Sequence, residues 1–131
     1  MRPEPGSPAD WLRFAKSDLA VAQRPPDGHV LTETLCFHAQ QAVEKSLKAV
    51  LLAGGVPFPR THNLKVLSDL LPRTSPLPPE LEEAVALTDY AVTPRYPGEQ
   101  EPVTEDEYLE AVRLAGAVVA WAETVVANSD E

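Results

Sequence analysis

The fold is decided by the stretch FHAQQAVEKSLKAVLL, which runs from Phe37 to Leu52 without a proline or a glycine. Its Ala, Leu, Gln, Glu and Lys residues favour an α-helix, because these side chains lose little freedom there. At about 100° per residue, small and apolar side chains share one broad arc of this helix. They are Leu35, Ala39, Ala42, Val43, Ser46, Ala49 and Val50. A second arc carries a polar stripe formed by His38, Gln41, Lys45 and Lys48.

The polar stripe leaves two interpretations open. It is a solvated helix face in the first, and scattered surface charge of that kind needs no functional explanation. Glu44 and Lys48 would then form an ion pair one turn apart, which contributes about 0.2–0.5 kcal/mol. In the second interpretation the stripe faces a partner protein or a second copy of the chain.

Signals for helix starts and ends divide the rest of the chain. Ser7 can cap a helix in which Pro8 takes the first position, and Gly54–Gly55 supplies a residue with positive φ after the central helix. Thr104 and Glu107 form the pattern of a capping box. We predict helices over residues 8–23, 29 or 30 to 53, 63–71, 79–91 and 104–127.

The chain length and the absence of strand patterns set the fold class. A chain of 131 residues fits one domain. Only eight residues are Phe, Tyr or Trp, so Leu, Val and Ala must supply most of the core, as they do in closely packed helices. We predict a single all-α domain over residues 1–131, an antiparallel bundle of about five helices with a core at about 8–127.

Charge and composition exclude several classes of function. The formal net charge is −9, which disfavours extended contact with nucleic acid, although the acidic last third of the chain would suit a basic partner protein. The single cysteine, Cys36, cannot form an internal disulfide, and the sequence has no spacing typical of a metal site or phosphate-binding loop. We expect no metal, no cofactor and no membrane span, and a cytoplasmic location.

Three segments in order resemble one known family. They are His38-x-Gln40-Gln41-x-x-Glu44-Lys45-x-x-Lys48-Ala49, then Thr61-His62-Asn63-Leu64, and then Arg95-Tyr96-Pro97. Together they are similar to the HEPN family, small prokaryotic helical domains that are often encoded beside a minimal nucleotidyltransferase. The resemblance implies a bundle related to the substrate-binding helical domain of nucleotidyltransferases. It also implies a homodimer that assists such an enzyme in a toxin–antitoxin type module, with the polar stripe as the dimer or partner face.

The residues that carry catalysis in HEPN ribonucleases are not all present. Those enzymes resemble one another in an Arg-x(4–6)-His motif near a late helix, for which Arg95 is the natural anchor. No histidine follows His62 in this sequence, so the usual acid–base group is missing. We therefore predict no catalytic residue. The alternatives are a ribonuclease toxin in which Arg95 works with Glu99, Glu101 or a displaced histidine, and a dimeric adaptor without catalysis.

Two short segments are candidates for nucleotide or anion binding. Arg60 and His62 lie at the start of a short helix, where a guanidinium and backbone N–H groups can bind a phosphate. Arg95 and Tyr96 combine a cation with an aromatic ring suited to stacking on a base. The structural alternatives are that the first segment only caps its helix and that Arg95 and Tyr96 only fix their own loop.

Overall fold

The structure is a computed structural model that describes residues 2–72, 76–93, 97–98 and 101–129. Its elements are α1 (Pro8–Ala22), α2 (Thr32–Ala53), α3 (Leu64–Asp69), α4 (Leu81–Ala84), a 3₁₀ turn (Val85–Thr88), α5 (Asp89–Val92) and α6 (Glu105–Ser129). The segment from α4 to α5 is one interrupted helix, so these described ranges form five helical units. They contain no strand, and the predicted all-α bundle is confirmed.

The helix α2 lies at the centre of the bundle, between α1 and α6 and against α3 and α5. It runs antiparallel to α1, because Asp18 pairs with His38 while Trp11 lies beside Lys48. It runs parallel to α6, because the Val103 N–H donates to Glu33 at one end and Val50 lies beside Trp121 at the other. The short helices α3 to α5 make the long return connection that this parallel pair requires, so the predicted antiparallel arrangement holds for α1 and α2 but not for α2 and α6.

The core covers most of the circumference of α2, and this corrects the prediction of a single packing face. Its buried residues include Leu35, Cys36, Ala39, Val43, Leu47, Ala49 and Leu51. Gln40, Glu44, Ser46 and Lys48 are buried as well. A helix surrounded on this many sides must place some of its polar side chains inside the protein, where a missing hydrogen bond costs free energy. Among the described residues, the Ser46 hydroxyl is buried without a hydrogen-bond partner.

Local hydrogen bonds fix the helix ends. The Ser7 hydroxyl accepts a bond of 3.1 Å from the Asp10 N–H, and Thr104 and Glu107 make the reciprocal bonds of the predicted capping box. Gly55 adopts a φ of 69° after α2, as predicted. The Asp27 carboxylate accepts from two successive N–H groups in the turn before α2, which therefore begins only at Thr32.

Two large apolar side chains on the long helices α1 and α6 lie outside the core. Phe14 on α1 is 49% exposed, and Leu109 on α6 is also exposed. None of the described helices is long and apolar enough to cross a membrane.

Candidate functional site

A buried carboxylate, Glu44, organises the polar interior of the bundle. Only 3% of the surface of Glu44 is exposed to solvent. The Oε1 atom accepts from Gln40 Nε2 at 3.1 Å and from His62 Nδ1 at 2.8 Å, with a longer contact of 3.4 Å from Gln41 Nε2. The Oε2 atom accepts from Lys48 Nζ at 3.1 Å. We call these five residues the Glu44 cluster.

The electrostatics of the cluster favour an ionised Glu44. Burial by itself would raise the pKa of this carboxyl, because a charge loses hydration inside a protein. Hydrogen bonds from His62, Gln40 and Lys48, together with the charge of Lys48, outweigh the burial and hold the pKa below its usual value. An ionised carboxylate can only accept hydrogen bonds. In the contact between Glu44 and His62, the proton is therefore assigned to His62 Nδ1.

The loop between α2 and α3 closes over the Glu44 cluster. Gln40 Nε2 donates to the His62 carbonyl at 3.1 Å, which ties the end of the loop to α2. The Lys48 ammonium lies 5.6 Å from the Trp11 ring centre and 5.8 Å from that of Phe58. These two rings pack edge to face at 6.5 Å. Lys48 thus has both a carboxylate and two aromatic faces as partners.

A second polar group lies on the outer side of α1 and α2. Asp18 accepts from His38 Nδ1 at 2.9 Å and from Lys45 Nζ at 2.6 Å. The Lys45 ammonium lies 5.8 Å from the Phe14 ring centre, and the Phe37 ring packs edge to face against His38 at 5.5 Å. We call these residues, Phe14, Asp18, Phe37, His38 and Lys45, the Asp18 strip.

A shallow cleft adjoins the Asp18 strip at the start of α1. It has a volume of about 190 Å³ and is lined by Gly6, Asp10, Trp11, Phe14 and Lys45. Its surface is mainly aromatic, with Lys45 as its cation. Within the described part of the chain, no group of three or more His, Cys, Asp or Glu side chains could hold a metal ion.

Most of the chain matches one known protein family. The family model described as HEPN domain matches residues 8–125. The chain belongs to the HEPN family. The match spans every helix of the bundle, and it confirms the resemblance that the three sequence segments indicate.

Two solved structures are similar to this HEPN chain over most of its length. The archaeal HEPN homologue ST0689 has 28% sequence identity and a TM-score of 0.70, and the match covers 92% of this chain and 98% of that one. The protein TT1696 from Thermus thermophilus has 34% identity and a TM-score of 0.71, with 90% of this chain and 97% of that one covered. No curated protein matches this HEPN chain.

The structure divides the polar stripe of this HEPN domain between two carboxylates. His38 and Lys45 pair with Asp18, whereas Gln41 and Lys48 belong to the Glu44 cluster. The Lys48 side chain is only 9% exposed. The stripe is therefore not a uniformly solvated face, and its role as a dimer or partner face stays a prediction.

The predicted anion-binding residues are described only in part. Arg60 and His62 lie in the same loop, and both are exposed. The His62 side chain is 62% exposed, and its Nε2 atom makes no hydrogen bond with the described residues. Arg95 and Tyr96 lie outside the described residues, so a pocket shared by all four remains a prediction.

Sequence reasoning missed the two carboxylates at the centres of these groups. The sequence pattern predicts Glu44 as half of a surface ion pair, and it assigns no role to Asp18. The sequence nevertheless contains a signal for each of these two carboxylates. Gln40, Glu44 and Lys48 follow one another at intervals of about one helical turn, on a line separate from His38 and Lys45, and Asp18 is a charged residue between apolar positions of α1.

Proposed function

We propose that this chain is an accessory HEPN protein without nuclease activity, which forms a homodimer and works with a minimal nucleotidyltransferase in a toxin–antitoxin type module. The family match supports the partner, since HEPN domains are often encoded beside such enzymes. The lack of any histidine after His62 argues against the ribonuclease alternative, because the family motif then has no imidazole to transfer protons.

The observation that carries a nucleotide-binding role is the contact between Glu44 and His62. The buried carboxylate fixes the His62 ring through Nδ1, so Nε2 is directed away from it and can bond to a ligand. Arg60 lies two residues earlier and is exposed, with no ion-pair partner among the described residues. A phosphate would receive bonds from a preorganised imidazole and a guanidinium, which lowers the entropy lost on binding.

Nucleotide binding can be tested by thermal unfolding in the presence of ATP, ADP and AMP. A nucleotide at ten times its Kd stabilises the native protein by about 1.4 kcal/mol, which raises Tm by about 3–6 °C. We expect Arg60→Gln and His62→Gln to abolish this rise. Lys65→Gln is the matched control for Arg60→Gln, because it removes one positive charge from the adjacent helix. Equal rises in all variants, or no rise with wild-type protein, would contradict the site.

The proposed dimer face is the Asp18 strip, which contains two of the four stripe residues. Phe14 and Phe37 are large exposed apolar side chains on either side of His38 and Lys45. Exposed aromatic side chains are enriched at protein interfaces, and the pairing of His38 and Lys45 with Asp18 reduces the net charge between the two rings. HEPN family members often dimerise, and this supports a contact between two copies.

Light scattering during size-exclusion chromatography tests the dimer face. The double variant Phe14→Ser and Phe37→Ser is expected to elute as a monomer at concentrations where the wild type is a dimer. Leu31→Ser with Leu109→Ser removes two exposed apolar residues elsewhere and should leave the dimer intact. Dissociation in the second variant alone would place the interface outside the Asp18 strip.

The nucleotidyltransferase partner can be tested by affinity purification of the tagged protein from its native host, followed by mass spectrometry. Stoichiometric recovery of a small nucleotidyltransferase would support the accessory role. Recovery of the chain alone would favour a stand-alone adaptor, and recovery with RNA fragments would favour the ribonuclease alternative.

A further inference from the structure

An acidic groove separates the α4–α5 segment from α6 and has a volume of about 560 Å³. Apolar and aromatic side chains form its floor, namely Leu87, Tyr90, Ala111 and Leu114. Carboxylates from both helical units form its walls, namely Glu83, Asp89, Asp106, Glu107 and Glu110. The described residues that line it include no lysine, arginine or histidine. The groove therefore combines an apolar base with a strongly negative rim.

One guanidinium of the chain already bridges the two walls at the edge of the groove. The Arg113 Nη2 atom lies 3.3 Å from a Glu83 carboxylate oxygen and also pairs with Glu110. The hydrogen bond from Arg113 lowers the pKa of Glu110 below its usual value. The walls are thus spaced so that an arginine side chain can contact both of them.

The other half of the groove differs in its charge balance. The side chains of Asp89 and Asp106 make no hydrogen bond or ion pair with the described residues. Asp106 lies about one helical turn from Glu110, so it presents a similar carboxylate beyond the reach of the Arg113 pair. Unneutralised carboxylates beside an apolar surface attract a cation more strongly than carboxylates in open water do.

We propose that the acidic groove docks a basic segment of a partner protein, with arginine or lysine side chains at Asp89 and Asp106 and an aliphatic side chain on the floor. Along α6 the groove extends from Asp106 to Leu114, about 12 Å at 1.5 Å per residue, which accommodates three to four residues of extended chain, at ~3.3 Å each. A polypeptide fits better than a simple polyamine, because a polyamine has no side chain to cover the apolar floor. This surface is distinct from the Glu44 cluster, so the proposal does not depend on nucleotide binding.

Fluorescence anisotropy with a short labelled peptide of alternating arginine and leucine tests the groove. The groove variant is Asp89→Asn with Asp106→Asn, which removes the two carboxylates of the proposed contact, and the matched control is Glu82→Gln with Glu105→Gln. Each pair removes one negative charge from the α4–α5 segment and one from the first turn of α6, but only the first pair lines the groove. The two variants have the same net charge, so general attraction of a cationic peptide to an acidic protein would weaken equally in both.

We expect the groove variant to bind the peptide about tenfold more weakly than wild type and the control variant to differ by less than about twofold. Binding should also weaken as salt is raised. Equal losses in both variants would overturn the proposal, and so would full retention of binding in the groove variant. Spermine that binds with the same dependence on the groove variant, while the peptide does not bind, would overturn the assignment to a protein partner.

A second variant tests the groove without removing any carboxylate from the start of a helix. Ala86 is exposed and lines the groove, so Ala86→Arg would place a cation within it. Ala20→Arg adds the same charge at an exposed position on α1 and serves as the control. The proposal requires that Ala86→Arg abolish peptide binding and that Ala20→Arg leave it unchanged. Both variants should show the helical circular dichroism of the wild type.

Discussion

Replacement of Glu44 by glutamine should destabilise the protein far more than its small change in shape suggests. The substitution leaves the Lys48 ammonium, which is 9% exposed, without its carboxylate partner. Removal of one member of a buried ion pair typically costs about 3–5 kcal/mol. The neighbouring Trp11 and Phe58 rings still contact the ammonium and offset part of the loss, so we expect about 3 kcal/mol.

Replacement of Lys48 by methionine should have a smaller effect, because Glu44 is the centre of the cluster and Lys48 is one of its donors. The carboxylate keeps its bonds from Gln40 and His62, so we expect a loss of about 1–2 kcal/mol. In the double variant the uncompensated ammonium no longer exists. The two losses should therefore be strongly non-additive, with a coupling of at least about 1.5 kcal/mol.

Urea unfolding at neutral pH, followed by circular dichroism, measures these differences. With a slope of about 1.5 kcal/mol per molar urea, a loss of about 3 kcal/mol lowers the midpoint by about 2 M. Unchanged slopes would show that the variants still unfold in one transition. Equal destabilisation by the two single substitutions, or additive losses in the double variant, would refute the view that Glu44 is the centre of a buried network.

The stability of wild-type protein and that of the Glu44→Gln variant should depend differently on pH. The pKa of Glu44 is lower in the folded protein than in the unfolded chain, so its contribution is fully present above the ordinary glutamate value of about 4.3. The contribution is lost as the pH falls through the lower folded value. The stability difference between wild type and Glu44→Gln should thus shrink below about pH 4. A difference that stays constant down to about pH 3 would contradict the ionised state assigned to Glu44.

Three further substitutions, two of them with a control substitution, test the packing and capping of the bundle by urea unfolding. Tyr108→Phe removes a buried hydroxyl that donates to the backbone carbonyls at the end of α1, at 2.6 and 2.9 Å, and should cost about 1–2 kcal/mol. Thr104→Ala removes the side-chain half of the capping box of α6 and should cost about 1 kcal/mol, whereas Thr104→Ser should cost little. Leu47→Ala opens a cavity at a fully buried site and should cost about 2–5 kcal/mol, while Leu109→Ala at an exposed site should stay within about 0.5 kcal/mol.

The helices were predictable because their signals are local. The capping box at Thr104 and the glycine pair after α2 depend on residues a few positions apart, and both predictions are confirmed. The helix predicted over 79–91 is interrupted by a 3₁₀ turn at Val85–Thr88, where the Thr88 hydroxyl bonds to the Val85 carbonyl and accepts from the Leu64 N–H. That second bond joins residues far apart in sequence, which no local pattern reveals.

The polar groups were predictable only in part, for a related reason. The spacing of His38 and Lys45 correctly places them on one side of α2, but it does not identify Asp18 on α1 as their shared partner. Likewise, the burial of Glu44 follows from the enclosure of α2 by its neighbours and by the loop that carries His62. Tertiary packing thus decides which polar residues are solvated and which are paired inside.

The order of the helices along the chain has a consequence for synthesis on the ribosome. The central helix α2 is covered by α1 on one side, and this local pair can form as soon as both helices have emerged. Its other side is covered by α6, the last helix of the bundle to be synthesised. Until α6 emerges, the apolar residues of α2 that it covers are open to chaperones and to other nascent chains. The hydrogen bond from the Tyr108 hydroxyl on α6 to the Ala22 carbonyl at the end of α1 can therefore form only after most of the domain has been translated.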